Sequence, residues 1–445
     1  MGTQARAPTE PVSEFIENPS RDVTVKAQSR SYSPRAPLPT PSFEPIQQTS
    51  LEQPRAAAVA HASDKENPGG FTHIPALDGI RGLAILLVLI DHLFVGNDHT
   101  GSRILDFVME VRGSTYCGVN LFFALSGFLI TGILIKTLDV PHYFKTFYSR
   151  RALRIFPLYY GFLFAILLLT KPLHIEWHGW QYYYLTYTAN LALWRTDVPL
   201  LLNYFNISHF WSLQVEEQFY FIWPLVVFRV RRPETLVRIA LISCAVIFCI
   251  RVFLVAMHGN PHFSYVFLPY APTFSCADNI LFGCCLSALL LTDRREAVLG
   301  WAPRVFAVVA VFVLILFIVN HGLEWQGPDH PLHWLVPTVG FSLLGIGSTA
   351  LIAMVLQSGL MKSFFQNGVL RFFGKYSYGI YVFHFSISGL LQKPMRTFFT
   401  AHLHSKALSL VLQAGIAGVV TVLVALLSYH LYEKHFLRLK RYFAY

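Results

Sequence analysis

The stretch RGLAILLVLIDH, Arg81 to His92, decides how this chain is read. Nine apolar residues in a row suit a helix in lipid, where about 20 such residues cross the hydrocarbon core. Its ends are polar: an arginine at one, an aspartate and a histidine at the other. Ionisable groups inside a membrane are costly and mark function by default. Arg81 and His92 stand eleven positions apart. At 100° per residue that is three turns plus roughly 20°, with a rise near 16 Å, so both fall on one face of one helix. Asp78, three residues before Arg81, is spaced to pair with it. The structural alternative has Arg81 snorkelling to the membrane edge and His92 making a single interhelical hydrogen bond.

Composition extends that reading to the rest of the 445 residues. Hydrophobic residues make up 54% and charged residues 13%, with a mean hydropathy of +0.45, whereas soluble domains carry about 25% charged residues. An all-α polytopic membrane protein is expected. Residues 1–70 hold runs such as SPRAPLPTPSFEP and no apolar stretch, and are expected to be a disordered cytoplasmic tail. They lack a cleavable signal, so the helix near Ile80 is expected to start insertion. A transmembrane domain is assigned to residues 71–436 and a basic cytoplasmic tail to 437–445. Apolar segments centred near Val88, Leu125, Leu163, Phe219, Ala245, Leu281, Val311, Leu344, Tyr381 and Val419 give about ten spans. The net charge of +10 does not point to nucleic acid, because the basic residues lie mostly in short loops between spans.

The aromatic segment WQYYYLTYTANLALW, Trp180 to Trp194, sets the topology. If it does not cross, the inner stretches hold nineteen Lys and Arg against seven outside, in accord with the positive-inside rule. If it crosses, RVRRPETLVR is thrown outside. Residues 171–208 are therefore expected to form an outward or re-entrant segment, with both termini cytoplasmic and the chain in the plasma (inner) membrane. Its Trp and Tyr rings suit stacking on sugars, and equally suit an interfacial belt.

Counted by depth, other ionisable residues join His92. WSLQVEEQFYFIWP places Ser212, Glu216 and Tyr220 on one helix face. Glu216 or Glu217, Arg251 and Asp278 come to a similar level, so these residues and His92 make a candidate outer chamber. In SRRALRIFP, Arg151 and Arg154 lie one turn apart before a span. They are candidates to clamp phosphates bidentately, although an ordinary basic flank has the same pattern. His384, in YSYGIYVFH, is a candidate for substrate contact or for an internal hydrogen bond.

Taken in order, LDGIRGLAILLVLIDH, GVNLFFALSGFLITGIL, YSRRALRIFP, HFWSLQVEEQFYFIWP and KYSYGIYVFH resemble acyltransferase family 3, the membrane O-acetylases related to those of lipopolysaccharide and peptidoglycan. The resemblance covers roughly Pro75 to Glu433. It implies a ten-span bundle and O-acyl transfer from acyl-CoA to a carbohydrate or other hydroxylated acceptor, with acetyl-CoA or another acyl-CoA as co-substrate and no permanently bound cofactor. By position, Arg81 and His92 match the first functional motif, Arg151 and Arg154 the arginine pair, and Glu216 the motif begun by Ser212. His435 in YEKHF stands where the family often has proline. The soluble extracytoplasmic domain of some relatives, and their two-domain relay, are not expected. Macrolides, lipids and small glycosides remain alternatives to an envelope polysaccharide as acceptor.

Acyl transfer from a thioester to a hydroxyl needs a base, and imidazole is matched to that near neutral pH. His92 is the expected base, or itself the acyl carrier. Glu216 is expected to orient it, with Arg251 or backbone amides stabilising the oxyanion. A proton-coupled transporter is the alternative, but it should show paired repeats, and none is found. A non-catalytic receptor has no need of a same-face Arg and His with a separate Arg pair. GIGSTA, 345–350, mimics a dinucleotide motif but fits close helix packing better. The six cysteines and the loops HGNPH and HPLH complete no metal site, so none is expected.

Overall fold

The computed structural model describes residues 73–94, 100–172, 174–192, 207–257, 271–320, 322–323, 334–357 and 359–443. The proline-rich stretch before residue 71, HGNPH, HPLH and the end of the aromatic segment lie outside the described residues. Everything regular among the described residues is helical.

All ten expected span centres fall inside helices. These helices are α1 (Pro75–Leu93), α3 (Cys117–Lys136), α4 (Tyr143–Leu168), α7 (Trp211–Val230), α8 (Pro233–Ala256), α10 (Asp278–Leu289), α11 (Arg295–Val319), α12 (Phe341–Leu356), α14 (Gly368–His402) and α15 (Lys406–Ser428). Short helices α2 (Arg103–Arg112), α5 (Trp180–Leu185), α6 (Ala189–Ala192), α9 (Thr273–Cys276), α13 (Leu360–Phe365) and α16 (Lys434–Arg438) lie between or beside them. Six of the long helices are long and apolar enough to cross a membrane. The other four are α1, α7 and α14, which carry ionisable residues along their length, and α10, which has 12 residues. The chain is thus an integral membrane protein, with its most polar helices gathered where the site forms.

Local sequence explains the helix starts. Pro75 occupies the first turn of α1, where its missing N–H costs nothing, and Asp78 meets the positive end of the helix dipole. The Asn367 side chain caps α14 by accepting the Val369 N–H at 2.8 Å, and Ser405 caps α15 through Leu408 at 3.3 Å.

Without water to drive association, helices in lipid meet where small residues let backbones touch. Gly79 lies against the Phe365 carbonyl, Gly82 against that of Leu370, and Gly374 against that of Asp78, closing α1 onto α13 and α14. A second seam joins Gly127 to the Ile280 carbonyl and Gly283 to that of Ala124, closing α3 onto α10. Gly345 packs on Asn279 and Gly347 on Val309, so GIGSTA is a packing motif.

The aromatic segment forms only α5 and α6, of six and four residues, with no crossing among its described residues. It docks into the bundle. Tyr159 donates to the Tyr184 carbonyl at 2.8 Å, and its ring stacks on Tyr187 with centroids 4.1 Å apart. Gln218 donates to the Tyr187 carbonyl and to Asn190 Oδ1. Trp180, Tyr184 and Tyr187 are buried, so these rings are taken up by packing, while Tyr182 remains exposed.

Adding one methyl at the second seam tests its closeness. Gly127→Ala should lower the melting temperature in detergent, since the methyl meets backbone and overpacking costs about 1–3 kcal/mol. Gly415→Ala, which meets nothing within 4 Å, should not. Equal melting curves for the two variants would refute the seam as a determinant of stability.

Candidate active site

The α1–α14 contact brings Arg81 into the bundle, where its Nη1 donates to Asp78 Oδ1 at 3.1 Å. Asp78 also meets His73 Nε2 at 2.6 Å. Helix α4 contributes Arg151 and Arg154 from adjacent turns. Helix α7 contributes Ser212, Glu216 and Tyr220, and α3 contributes Ser126. Together these seven line one cavity of about 110 Å³, walled on its apolar side by Val119, Phe122, Phe123, Leu125, Leu129 and Ile130. Ser126 and Tyr220 hydroxyls hydrogen bond to each other. The Arg151 guanidinium sits over the Tyr220 ring, 5.4 Å from its centroid.

The charge balance in this cavity is unusual. Arg81 has a carboxylate partner; Arg151 and Arg154 form no ion pair among the described residues. Glu216 lines the same walls at longer range. Guanidinium groups crowded at low dielectric repel one another and lose hydration, which an incoming anion reverses.

Beside this cavity lies a wider chamber of about 650 Å³. Arg81, Arg154 and Tyr378 line both. Leu437 and Lys440 also line the wider chamber, while Arg150 Nη1 donates to the carbonyls of Lys440 and Phe443 at 3.3 and 2.8 Å. The basic end of the chain is therefore held against α4.

The structure does not gather the expected outer chamber into one place. Arg251 and Asp278 form a closed, fully buried ion pair, with Nη1 to Oδ1 at 3.0 Å and Nη2 to Oδ2 at 2.8 Å. The Ser275 carbonyl and Ser342 hydroxyl complete it. Asn279 links Asp278 to Asn120. Because both charges are spent on each other, Arg251 is not placed to stabilise an oxyanion beside Glu216. Glu217, one residue on, turns to another face of α7 and does not line the cavity; its Oε1 is buried without a partner.

His92 occupies a third place. Its Nδ1 lies 2.9 Å from the Val88 carbonyl, and Asp91 Oδ2 is 3.9 Å from its Nε2. His384 Nε2 approaches at 3.4 Å. The rings of His384 and His209 are 4.9 Å apart. Glu216 thus does not orient His92; Val88, Asp91 and His384 surround it. Between this histidine cluster and the cavity stands a hydroxyl pair, Ser212 Oγ to Tyr381 Oη at 2.6 Å, from which Tyr381 donates to the His209 carbonyl at 2.9 Å. Ser126, His209, Tyr378 and Tyr381 were not singled out by sequence, although each lies in a motif quoted above. No cluster of three His, Cys, Asp or Glu among the described residues is arranged to hold a metal ion.

Helical architecture and a buried, arginine-lined site define an integral membrane protein built around a polar interior. More narrowly, the chain belongs to acyltransferase family 3, whose profile, described as an acyltransferase domain, matches residues 74–430. It is 26% identical over 385 residues to the "Putative peptidoglycan O-acetyltransferase YrhL" of Bacillus subtilis (strain 168), covering 81% of this chain and 54% of that one. It is also 26% identical over 346 residues to the O-acetyltransferase OatA of Staphylococcus aureus (strain NCTC 8325 / PS 47), covering 71% and 50%. The chain spans about half the length of these curated relatives. No solved structure matches it.

The Arg251–Asp278 pair should behave as structure rather than as chemistry. Arg251→Met leaves Asp278 uncompensated and should cost about 3–5 kcal/mol, read as loss of folded protein on size exclusion in detergent. Arg251→Met with Asp278→Leu should recover most of it. A folded but inactive single variant would return Arg251 to the reacting centre.

Proposed function

We propose that this protein transfers an acyl group, acetyl in the first instance, from an acyl-CoA to a hydroxyl of a carbohydrate acceptor. The observation that carries the reading is the convergence of Arg81, Arg151 and Arg154 on one cavity where, among the described residues, only Arg81 has a carboxylate partner. Such a site favours an anionic ligand, and a planar guanidinium suits phosphate oxygens. The acceptor class follows the name of the peptidoglycan relative, and a carbohydrate hydroxyl is the nucleophile that O-acetylation requires. By the positive-inside rule the donor enters from the cytoplasm and both termini lie there.

The Val88 carbonyl beside Nδ1 supports His92 as base, because it favours the tautomer protonated there. A proton on Nδ1 satisfies the Val88 carbonyl and leaves Nε2 with its lone pair. In the direct route Nε2 takes the acceptor's hydroxyl proton as that oxygen attacks the thioester carbonyl. The C–S bond then breaks, and the departing thiolate receives a proton to give free CoA. In the alternative route Nε2 attacks first and passes the acyl group on from an acyl-imidazole. Either route requires the Ser212–Tyr381 partition to open, since His92 does not line the cavity. Arg151, beside Glu216 and Tyr220, is suited to stabilise the carbonyl oxygen as it gains charge.

Purified protein given acyl-CoA and acceptor should release free CoA with acylated product. A proton-coupled transporter releases none. His92→Gln should fold and bind donor normally while turnover falls by roughly 10² to 10⁴; wild-type turnover in that variant would defeat both routes. Replacing Arg151 and Arg154 together with Lys should weaken CoA binding, measured by calorimetry, far more than it lowers the melting temperature. Unchanged affinity would return the pair to a topological role.

A further inference from the structure

The wider chamber has a composition of its own. Besides Arg81 and Arg154, it is lined by Arg371 and Lys375 from the start of α14 and by Lys440 from the chain's basic end. Five basic side chains face two carboxylates, Asp78 and Glu433. Both carboxylates are already engaged, Asp78 by Arg81 and His73, Glu433 by the Ser428 hydroxyl at 3.0 Å. Arg371, Lys375 and Lys440 make no ion pair among the described residues. Lys375 instead rests on aromatic rings, its Nζ 5.1 Å from the Tyr376 centroid and 5.5 Å from that of Tyr429. Phe372 adds a further ring to the wall. Cations and aromatic faces in one concavity are what a phosphorylated purine needs.

Size separates the two spaces as well. The space beside Glu216 is the narrower, about 110 Å³ against about 650 Å³ next door. The arginine pair is divided by this boundary. Arg154 lines both spaces, whereas Arg151 lines only the narrow one.

We infer that the wider chamber is a polyphosphate subsite, built by Arg371, Lys375 and Lys440 with Arg154, and that it takes the phosphorylated nucleoside end of the donor while Arg151 serves the acyl end. This rests on the acyl-CoA reading above. It makes the two arginines of SRRALRIFP unequal: Arg154 sets donor affinity and Arg151 sets turnover. The same polyanion chemistry exists in the headgroups of acidic lipids, so the test must tell these sources apart.

Binding is measured by calorimetry on the full chain in nanodiscs of zwitterionic lipid. The probes are coenzyme A, adenosine 3′,5′-bisphosphate and pantetheine. Coenzyme A and the bisphosphate should bind, more weakly as salt rises, and pantetheine should bind poorly. Arg371→Gln and Lys375→Gln, both at exposed positions, should each weaken coenzyme A by roughly tenfold, as expected for a lost charge-assisted contact. Lys375→Arg should restore it, and melting temperatures should not move. Arg151→Lys should keep donor KM within about twofold and lower kcat, the pattern of an interaction made in the transition state. Coenzyme A binding untouched by the Gln variants overturns the subsite and leaves the acyl-CoA reading standing. Bisphosphate binding that depends on Lys375, with no binding of coenzyme A, keeps the subsite and overturns the donor. If only nanodiscs containing phosphatidylglycerol occupy the chamber, and exclude both nucleotides, the occupant is lipid and the inference fails.

Discussion

A positive charge inside a helical bundle must be compensated or it will not stay there, and this protein meets that constraint in two opposite ways. Arg251 is answered by Asp278, at 2.8 and 3.0 Å, with the Ser275 carbonyl and the Ser342 hydroxyl as further partners of its two Nη atoms, while its Nε is buried without one. Such a pair contributes little net stability but is ruinous to break. Arg151 and Arg154 receive no such answer among the described residues. Crowded guanidinium groups without a counter-charge are higher in free energy, a deficit that an anionic ligand would relieve. The closed pair is a fixed part of the scaffold, and the open trio with Arg81 is the part free to act.

Bringing like charges together demands rigid neighbours, and the glycine seams supply them. Gly79, Gly82 and Gly374 let α1 touch α14 at backbone distance, which fixes Arg81 between the two spaces. Gly127 and Gly283 do the same for α3 and α10, holding Ser126 toward Tyr220 on one side and Asn120 toward Asn279 on the other. Leucine-sized residues at these positions would hold the helices apart and spread the cations. Packing and electrostatics are therefore one design in this bundle, since the seam that a methyl would open is also the seam that positions charge.

Much of this could be read before any coordinates. The apolar runs each fell on a helix, six of them long and apolar enough to cross a membrane, because period and length are local properties. Helical spacing likewise put Glu216 and Tyr220 on one face and placed Arg81 near Asp78. Depth counting failed for Arg251 and Asp278. Depth gives the level of a residue within the bundle but not its azimuth, and these two turn toward Ser342 rather than toward Glu216. His209 and Tyr381 escaped notice because nothing local marks them; only the meeting of α7 and α14 makes them neighbours of Ser212. Arg371, Lys375 and Lys440 read as topology signals, which they can remain while also lining a chamber.

The hydroxyl pair of Ser212 and Tyr381 is neutral, unlike the three arginines and Glu216 of the same cavity. Leaving one buried hydroxyl unpaired costs about 1–3 kcal/mol. On that scale thermal motion alone parts the pair in somewhere between about one molecule in six and about one in a hundred and sixty. A wall of that strength can be parted by thermal motion and close again without help. Communication between the arginine side and the histidine side would then draw on no ion gradient or nucleotide hydrolysis. Its frequency would rise with temperature and stay nearly indifferent to ionic strength, in contrast to everything the cations do.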